Sequence, residues 1–278
     1  MQHWFTYPNI DPVALRLGPL SVHWYGLGYI FGFICVYLWM SRPTGRRRLG
    51  LTPEQIQDFM VYALVGVLVG GRTVFVIADI MTRNNAADYF THPINLIAVW
   101  NGGMAFHGGL LGVIVAMVLF IRKHRGLTFE LLGDEIVALI PIAIASVRVV
   151  NFINDELPGK ICDPDQPFCI KFPAFEGYRY PSQLMEGLLD LAVLPIILAV
   201  YRRRPPDGVV AWPWIMLYGI TRTIGEFWRQ PDMITPVLGL TPAQLLSIGM
   251  AIIGAVFASR AARVNPYTRE RPAEERVA

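Results

Sequence analysis

Residues 57–78 read QDFMVYALVGVLVGGRTVFVIA, a stretch whose only charged side chains are Asp58 near its start and Arg72 toward its end. About 20 such residues in a helix cross a hydrocarbon core of roughly 30 Å, and within lipid a helix satisfies its own backbone hydrogen bonds. The stretch therefore reads as a membrane-crossing helix. Six more apolar stretches lie at about 22–40, 103–121, 134–150, 182–201, 209–225 and 243–259. The predicted fold is an all-α polytopic membrane protein with about seven transmembrane helices.

Composition agrees, since 54% of the 278 residues are hydrophobic and 16% charged, whereas soluble domains run near 25% charged. The formal net charge of +3 is too small and too scattered among loops to form a nucleic-acid surface, so no nucleic-acid partner is expected. Prolines 8, 12 and 19 interrupt the N-terminal segment where a removable signal peptide would carry an apolar run, so none is expected. The three cysteines, Cys35, Cys162 and Cys169, are too few for a disulfide scaffold and have no nearby histidine to complete a zinc site.

Basic residues set the predicted orientation. The connections 41–52, 121–130 and 201–208, with the tail from Arg260, hold 15 Lys and Arg; residues 1–21, 79–102, 151–181 and 226–242 hold 6. The positive-inside rule puts the first set in the cytoplasm, so the N-terminus is expected outside and the C-terminus inside. Residues 1–260 then form a single integral membrane domain, with 151–181 as a small extracytoplasmic cap and 261–278 as a polar cytoplasmic tail. No internal repeat is visible.

Three arginines remain, Arg72, Arg148 and Arg222, within or at the ends of the predicted spans. A charge at the centre of a spanning helix costs about 2.5–3.5 kcal/mol on insertion scales, so their presence suggests a use. With this topology all three fall toward the outer face. So do His23 and Tyr25 at the start of the first span, His107 at the third, Ser182, Gln183 and Glu186 at the fifth, and Glu226 and Arg229 after the sixth. Residues from six helices are thus expected at one depth, near the outer headgroups.

Arginine's planar fork matches phosphate, so Arg148 and Arg222 are candidates for a phospholipid headgroup. Tyr218, Arg222, Glu226 and Arg229 follow helical spacing; Arg222 and Glu226, at i and i+4, can equally pair to hold the bundle together. Arg72 follows Gly70 and Gly71, which let another helix come close, and its role can be structural or ligand-binding. His107, in the glycine-rich NGGMAFHGG of residues 101–109, can accept a proton near neutral pH. Arg148, Asn151 and Asn154 share a helical face, where the asparagines can cap a helix end or meet a headgroup. His23 reads as part of an aromatic belt. Cys162 and Cys169 lie in the outer connection, where oxidation can close a small loop.

From about Tyr7 to Arg260 the chain resembles the prolipoprotein diacylglyceryl transferase family, enzymes of the bacterial cytoplasmic (inner) membrane. The resemblance is carried by HWYG (23–26), GGR (70–72), GGMAFHGGLLG (102–112), RVVNFINDELPG (148–159), PSQLMEG (181–187) and YGITRTIGEFWRQPD (218–232). It implies transfer of an sn-1,2-diacylglyceryl group from phosphatidylglycerol to the lipobox cysteine of a prolipoprotein signal peptide, forming a thioether and releasing glycerol phosphate. Its important positions fall on Tyr25, His107, Arg148, Asn151, Glu156, Gly159, Tyr218, Arg222, Glu226 and Arg229. On this reading His107, Arg148, Arg222, Asn151 and Tyr25 are catalytic. Phosphatidylglycerol is bound by Arg148 and Arg222 with Arg72, Glu156, Gly159, Ser182, Gln183, Tyr218, Glu226 and Arg229. The partners are membrane lipid and the prolipoprotein, and neither a metal nor another cofactor is required. Tyr180 departs from the pattern, since histidine is expected before Pro-Ser-Gln.

A free thiol, of pKa about 8.5, is only a few per cent thiolate at pH 7 and needs a base or a positive field. His107, or a tyrosine such as Tyr25 polarised by an arginine, is expected to activate the thiol while Arg148 and Arg222 hold the phosphate. Two rivals make different predictions. A phospholipid or anion transporter would continue its polar path to the cytoplasmic face, but the acids there, Glu54, Asp58, Asp134 and Glu135, read as solvated helix ends. A scaffold would tolerate neutral replacements of Arg148 and Arg222 together with their partners.

Overall fold

The computed structural model describes residues 6–18, 20–83, 86–203, 206–231, 235 and 238–263. Pro19 and most of the predicted tail, from 264 onward, lie outside the described residues. The described residues fall into two compact units, one within Met1–Trp39 and Gly133–Glu270, the other within Met40–Leu132.

The chain enters through an antiparallel hairpin, β1 (Val13–Leu17) and β2 (Leu20–His23), and continues directly into α1 (Trp24–Met40). Gly18, with φ of +60°, supplies the left-handed turn residue that such a tight connection needs. Before it, Tyr7 packs its ring on Phe152 and Phe172, and its hydroxyl donates to the carbonyls of Phe152 at 2.9 Å and Ile153 at 2.8 Å. Burial, helped by the Asp155 carboxylate, raises the Tyr7 phenol above its ordinary pKa.

In the unit within Met40–Leu132, α2 (Pro43–Leu49) is started by a proline in its first turn and stopped by Gly50 in the left-handed region. Next come α3 (Pro53–Arg83), α4 (Ala86–Thr91), two 3-10 turns (Pro93–Leu96 and Val99–Asn101) and α5 (Phe106–Lys123). Small residues let α3 and α5 touch backbone to backbone: a Cβ on Gly70 would lie 2.3 Å from the Gly108 carbonyl oxygen, and one on Gly66 2.4 Å from that of Gly112. Glycines four apart on both helices are the pattern by which membrane helices approach closely. The outward valines and leucines, among them Val61, Val65, Val69, Leu111 and Val115, stay exposed, as lipid-facing side chains do.

The other unit continues with α6 (Phe129–Val137), which begins in the neighbouring unit, and α7 (Ile140–Ile153), bent by 50° where Pro141 starts the second helix. Then follow β3 (Ile161–Cys162), β4 (Ile170–Lys171) and β5 (Tyr178–Arg179), ordered β3-β5-β4, and α8 (Ser182–Arg202), α9 (Ala211–Gly225) and α10 (Pro242–Ala262). Cys162 and Cys169 are joined by a disulfide that closes a small loop between β3 and β4. A capping box between Thr241 and Gln244 opens α10.

Three findings modify the expected fold. Short strands join the helices, so the chain is not purely α: segments too broken by Pro and Gly for helices satisfy their backbone groups by antiparallel pairing. Helices α3, α5, α8 and α10 are each long and apolar enough to cross a membrane, and the bent pairs α1 with α2 and α6 with α7 bring the number to as many as six. The stretch 209–225 forms only the 15 residues of α9, about 22 Å at the helical rise. Asp134 and Glu135 are not solvated helix ends but fully buried. The Asp134 carboxylate accepts from the backbone N–H groups of Gly208, Val210 and Ala211 at 2.8–3.1 Å, satisfying donors that the start of α9 leaves open. Glu135 accepts from the Tyr201 hydroxyl at 2.7 Å.

Candidate active site

The last turn of α7, the turn after it and the first turns of α1 and α8 build one half-buried knot. Tyr25 donates its hydroxyl hydrogen to Glu156 Oε2 at 2.6 Å, while Asn151 Nδ2 donates both to the Tyr25 oxygen and, at 3.2 Å, to the same carboxylate oxygen. Glu156 sits on a strained turn, since its neighbours Asp155 and Leu157 both take positive φ, 55° and 54°. Non-glycine residues are disfavoured there by roughly 1–2 kcal/mol each. The turn is held from α8: Ser182 Oγ donates to the Leu157 carbonyl at 3.0 Å, and Gln183 Nε2 donates to that of Glu156. Ser182 and Gln183 are almost completely buried. Strain fixed by surrounding hydrogen bonds is the kind that accumulates at functional sites.

One turn into α8, Glu186 gathers the guanidinium groups. Arg148 Nη2 lies 2.7 Å from Glu186 Oε2, Arg222 Nη1 3.2 Å from Oε1, and Arg229 Nη1 4.0 Å from the same oxygen. Arg222 Nη1 also donates to Glu226 Oε2 at 2.6 Å, whose other oxygen accepts from the Thr241 hydroxyl at 3.0 Å. The glutamate side chains are 4–5% exposed and the arginines 13–17%, so the guanidiniums are the more accessible members of the cluster. Buried Nε of Arg148 has no acceptor among the described residues. Such a fork retains donors for an anion with several oxygens. Asp190 is buried one turn further along α8.

Gly159 ties the cap to the chain after α9. It pairs with Arg229, its N–H donates to the Tyr180 carbonyl at 2.7 Å, and the next N–H, of Lys160, donates to the Trp228 carbonyl at 2.8 Å. A Cβ on Gly159 would stand 2.4 Å from the Trp228 oxygen and 2.8 Å from that of Tyr180. Only glycine fits between these carbonyls.

Of the residues expected at the site, the structure brings together Tyr25, Asn151 and Glu156, held by Ser182 and Gln183, and separately Arg148, Arg222, Glu226 and Arg229, with Gly159 paired to Arg229. Tyr218 stands one turn before Arg222 on α9 and stacks on Trp214. Arg72 and His107 belong to the other unit. Arg72 directs its fork at the carbonyls of Asn95, Leu96, Gly102 and Gly103, with its carbon 5.3 Å from the Phe75 ring centroid. Those bonds pin the turn that leads into α5. His107 is exposed in the first turn of α5, its ring edge-on to Phe106. Tyr180 donates its hydroxyl to Gln166 Oε1 at 2.5 Å.

Two participants had no assigned role in the sequence. Glu186 marks only a polar helix start by spacing, yet joins three arginines; Thr241 carries no periodic signal and reaches Glu226 across 15 residues.

Residues 12–260 match the sequence model of a family described as prolipoprotein diacylglyceryl transferase. A phosphatidylglycerol--prolipoprotein diacylglyceryl transferase of Geobacter sulfurreducens is 43% identical over 256 residues, covering 91% of this chain and 95% of the relative. Proteins of the same name from Chromohalobacter salexigens, at 42% over 90% of this chain and 91% of the relative, and from Bordetella bronchiseptica, at 43% over 90% and 94%, are similar to it over the same extent.

Proposed function

The chain belongs to the prolipoprotein diacylglyceryl transferase family, and from that premise we propose that its guanidinium cluster holds the phosphate of phosphatidylglycerol while the diacylglyceryl group passes to a cysteine thiol. The chain is a transferase: it moves a diacylglyceryl group from phosphatidylglycerol to prolipoproteins. The observation that carries the assignment of the cluster is the arrangement around Glu186, where one buried carboxylate holds Arg148 and Arg222 with donors to spare.

The reaction follows from the charges. The acceptor is the lipobox cysteine of a signal peptide, and His107 takes its proton. The thiolate sulfur attacks the carbon of the diacylglyceryl group that is esterified to phosphate; that carbon–oxygen bond breaks, a thioether forms, and glycerol phosphate leaves with the electron pair. Negative charge grows on the departing phosphate, where Arg148 and Arg222 meet it without reorganising. Arg229 completes the clamp and Tyr218 lines it. Glu226 orients Arg222, and the Tyr25–Asn151–Glu156 knot holds the end of α7, from which Arg148 projects. Arg72 fixes the entry to α5 within its own unit.

We place this chemistry toward the outer leaflet of a bacterial inner membrane, with the N-terminus outside, residues 151–181 as an outer cap and the C-terminus cytoplasmic. Residues 1–260 form the membrane domain and 261–278 the tail. In this arrangement α9 completes a seventh, short crossing. The excess of basic residues on one set of connections supports the orientation.

Mass spectrometry of a lipobox peptide incubated with phosphatidylglycerol and purified protein tests the assignment. Wild type should give a thioether-linked diacylglyceryl adduct that Arg148→Ala and Arg222→Ala lose. An adduct formed at the wild-type rate by both variants overturns the phosphate clamp.

A further inference from the structure

A cleft of about 680 Å³ opens between the cap and α8. Its lining alternates along the chain with the guanidinium cluster: Met185 precedes Glu186, and Trp228 precedes Arg229. Leu188 and Leu189 extend the wall along α8, and Phe168 faces them from the cap. Leu188 is 67% exposed and Phe168 56%, so among the described residues large apolar side chains stand there uncovered. Among the described lining residues, Tyr180 and Gln166 bring polar side chains hydrogen-bonded to each other, and Trp228 brings its indole N–H.

The cap side of this cleft is fixed. The Cys162–Cys169 disulfide closes the loop that carries Gln166 and Phe168. Within it the Gln166 N–H donates to the Asp163 carbonyl at 2.9 Å and the Asp165 N–H to Asp163 Oδ1 at 3.0 Å. Both ends of the loop are strands, β3 and β4, paired to β5.

We propose that this cleft receives an apolar side chain of the acceptor polypeptide close to its reacting cysteine, with the disulfide-closed loop as its outer wall. The proposal rests on the transferase reading above. A lipid acyl chain gains little by leaving the bilayer for an apolar groove, because lipid tails are already as apolar as leucine. An apolar side chain brought to headgroup depth with a polar backbone gains by burial, and its amides meet hydrogen-bonding partners at Tyr180 and Gln166. Two residues of its wall, Met185 and Trp228, are also the sequence neighbours of Glu186 and Arg229 in the phosphate-holding cluster.

The test uses the full-length protein in phosphatidylglycerol vesicles with a lipobox peptide and reads KM for each substrate separately. Phe168→Ala, in an exposed loop, and Leu188→Trp, which fills the cleft, should each raise KM for the peptide roughly ten-fold. KM for phosphatidylglycerol and kcat should stay within about two-fold of wild type. A peptide bearing a photoreactive leucine beside its cysteine should crosslink to residues 166–168 or 185–189. A rise in KM for phosphatidylglycerol instead assigns the cleft to the lipid and overturns the proposal, as does an unchanged peptide KM in Phe168→Ala. Failure of wild type itself to form the adduct overturns the transferase reading, a result distinct from either.

Discussion

Replacing Arg222 by methionine, alone and together with Glu226→Gln, separates the two uses an arginine can have at this place. In the single variant Glu226 loses a partner at 2.6 Å and keeps, among the described residues, the Thr241 hydroxyl at 3.0 Å, while Glu186 keeps Arg148 at 2.7 Å. Removing one member of a buried ion pair costs about 3–5 kcal/mol, and the partners that remain place this case near 3 kcal/mol. Glu226→Gln removes the stranded charge and still accepts from Thr241, so the double variant should regain stability to within about 1 kcal/mol of wild type. Activity should not follow. A preorganised donor to a charge that grows in the transition state is worth about 10²–10³ in kcat, and a glutamine at 226 supplies no cation to the leaving phosphate. Unfolding by denaturing detergent gives the stability, and adduct formation followed by mass spectrometry gives kcat. Recovery of activity in step with stability would show that Arg222 only locks helices together, and would refute the clamp.

Tyr25→Phe removes the hydroxyl that links Asn151 to Glu156; stability should fall by about 1–3 kcal/mol, read by the same unfolding assay, and an unchanged midpoint would remove Tyr25 from the knot. Gly159→Ala drives a methyl against the Trp228 and Tyr180 carbonyls and should cost about 1–3 kcal/mol and most of the activity; near-wild-type behaviour in both assays would deny that the cap is tied to the chain after α9 at this point. His107→Gln should lower kcat by about 10²–10⁴, with the remaining rate rising with pH as free thiolate accumulates; substantial activity with an unaltered pH profile would remove histidine as the base.

Much of this fold is visible in the sequence because lipid enforces it. The stretches at 57–78, 182–201 and 243–259 lie within α3, α8 and α10, and 103–121 overlaps α5 from Phe106 on, since an uninterrupted apolar run in lipid has only the helix to adopt. Where the run is broken, hydropathy misleads: the stretch at 134–150 hides a bend before Pro141, and 209–225 yields only α9. Asp134 looked solvated because the three N–H groups it caps lie more than 70 residues along the chain. At the site, arginines in apolar helices stood out by their cost, and helical spacing paired Arg222 with Glu226. The role of Glu186 did not stand out, because a carboxylate opening a helix reads the same whether it meets water or three guanidiniums. The knot of Tyr25, Asn151 and Glu156 joins residues up to 131 positions apart, a contact that no local period encodes.

The most direct test of the central claim is a structure of the full-length protein determined with phosphatidylglycerol bound. The account predicts phosphate oxygens at about 2.7–2.9 Å from guanidinium nitrogens of both Arg148 and Arg222, with Glu186 still behind them. A phosphate lodged elsewhere, with both arginines engaged only by Glu186 and Glu226, would contradict it.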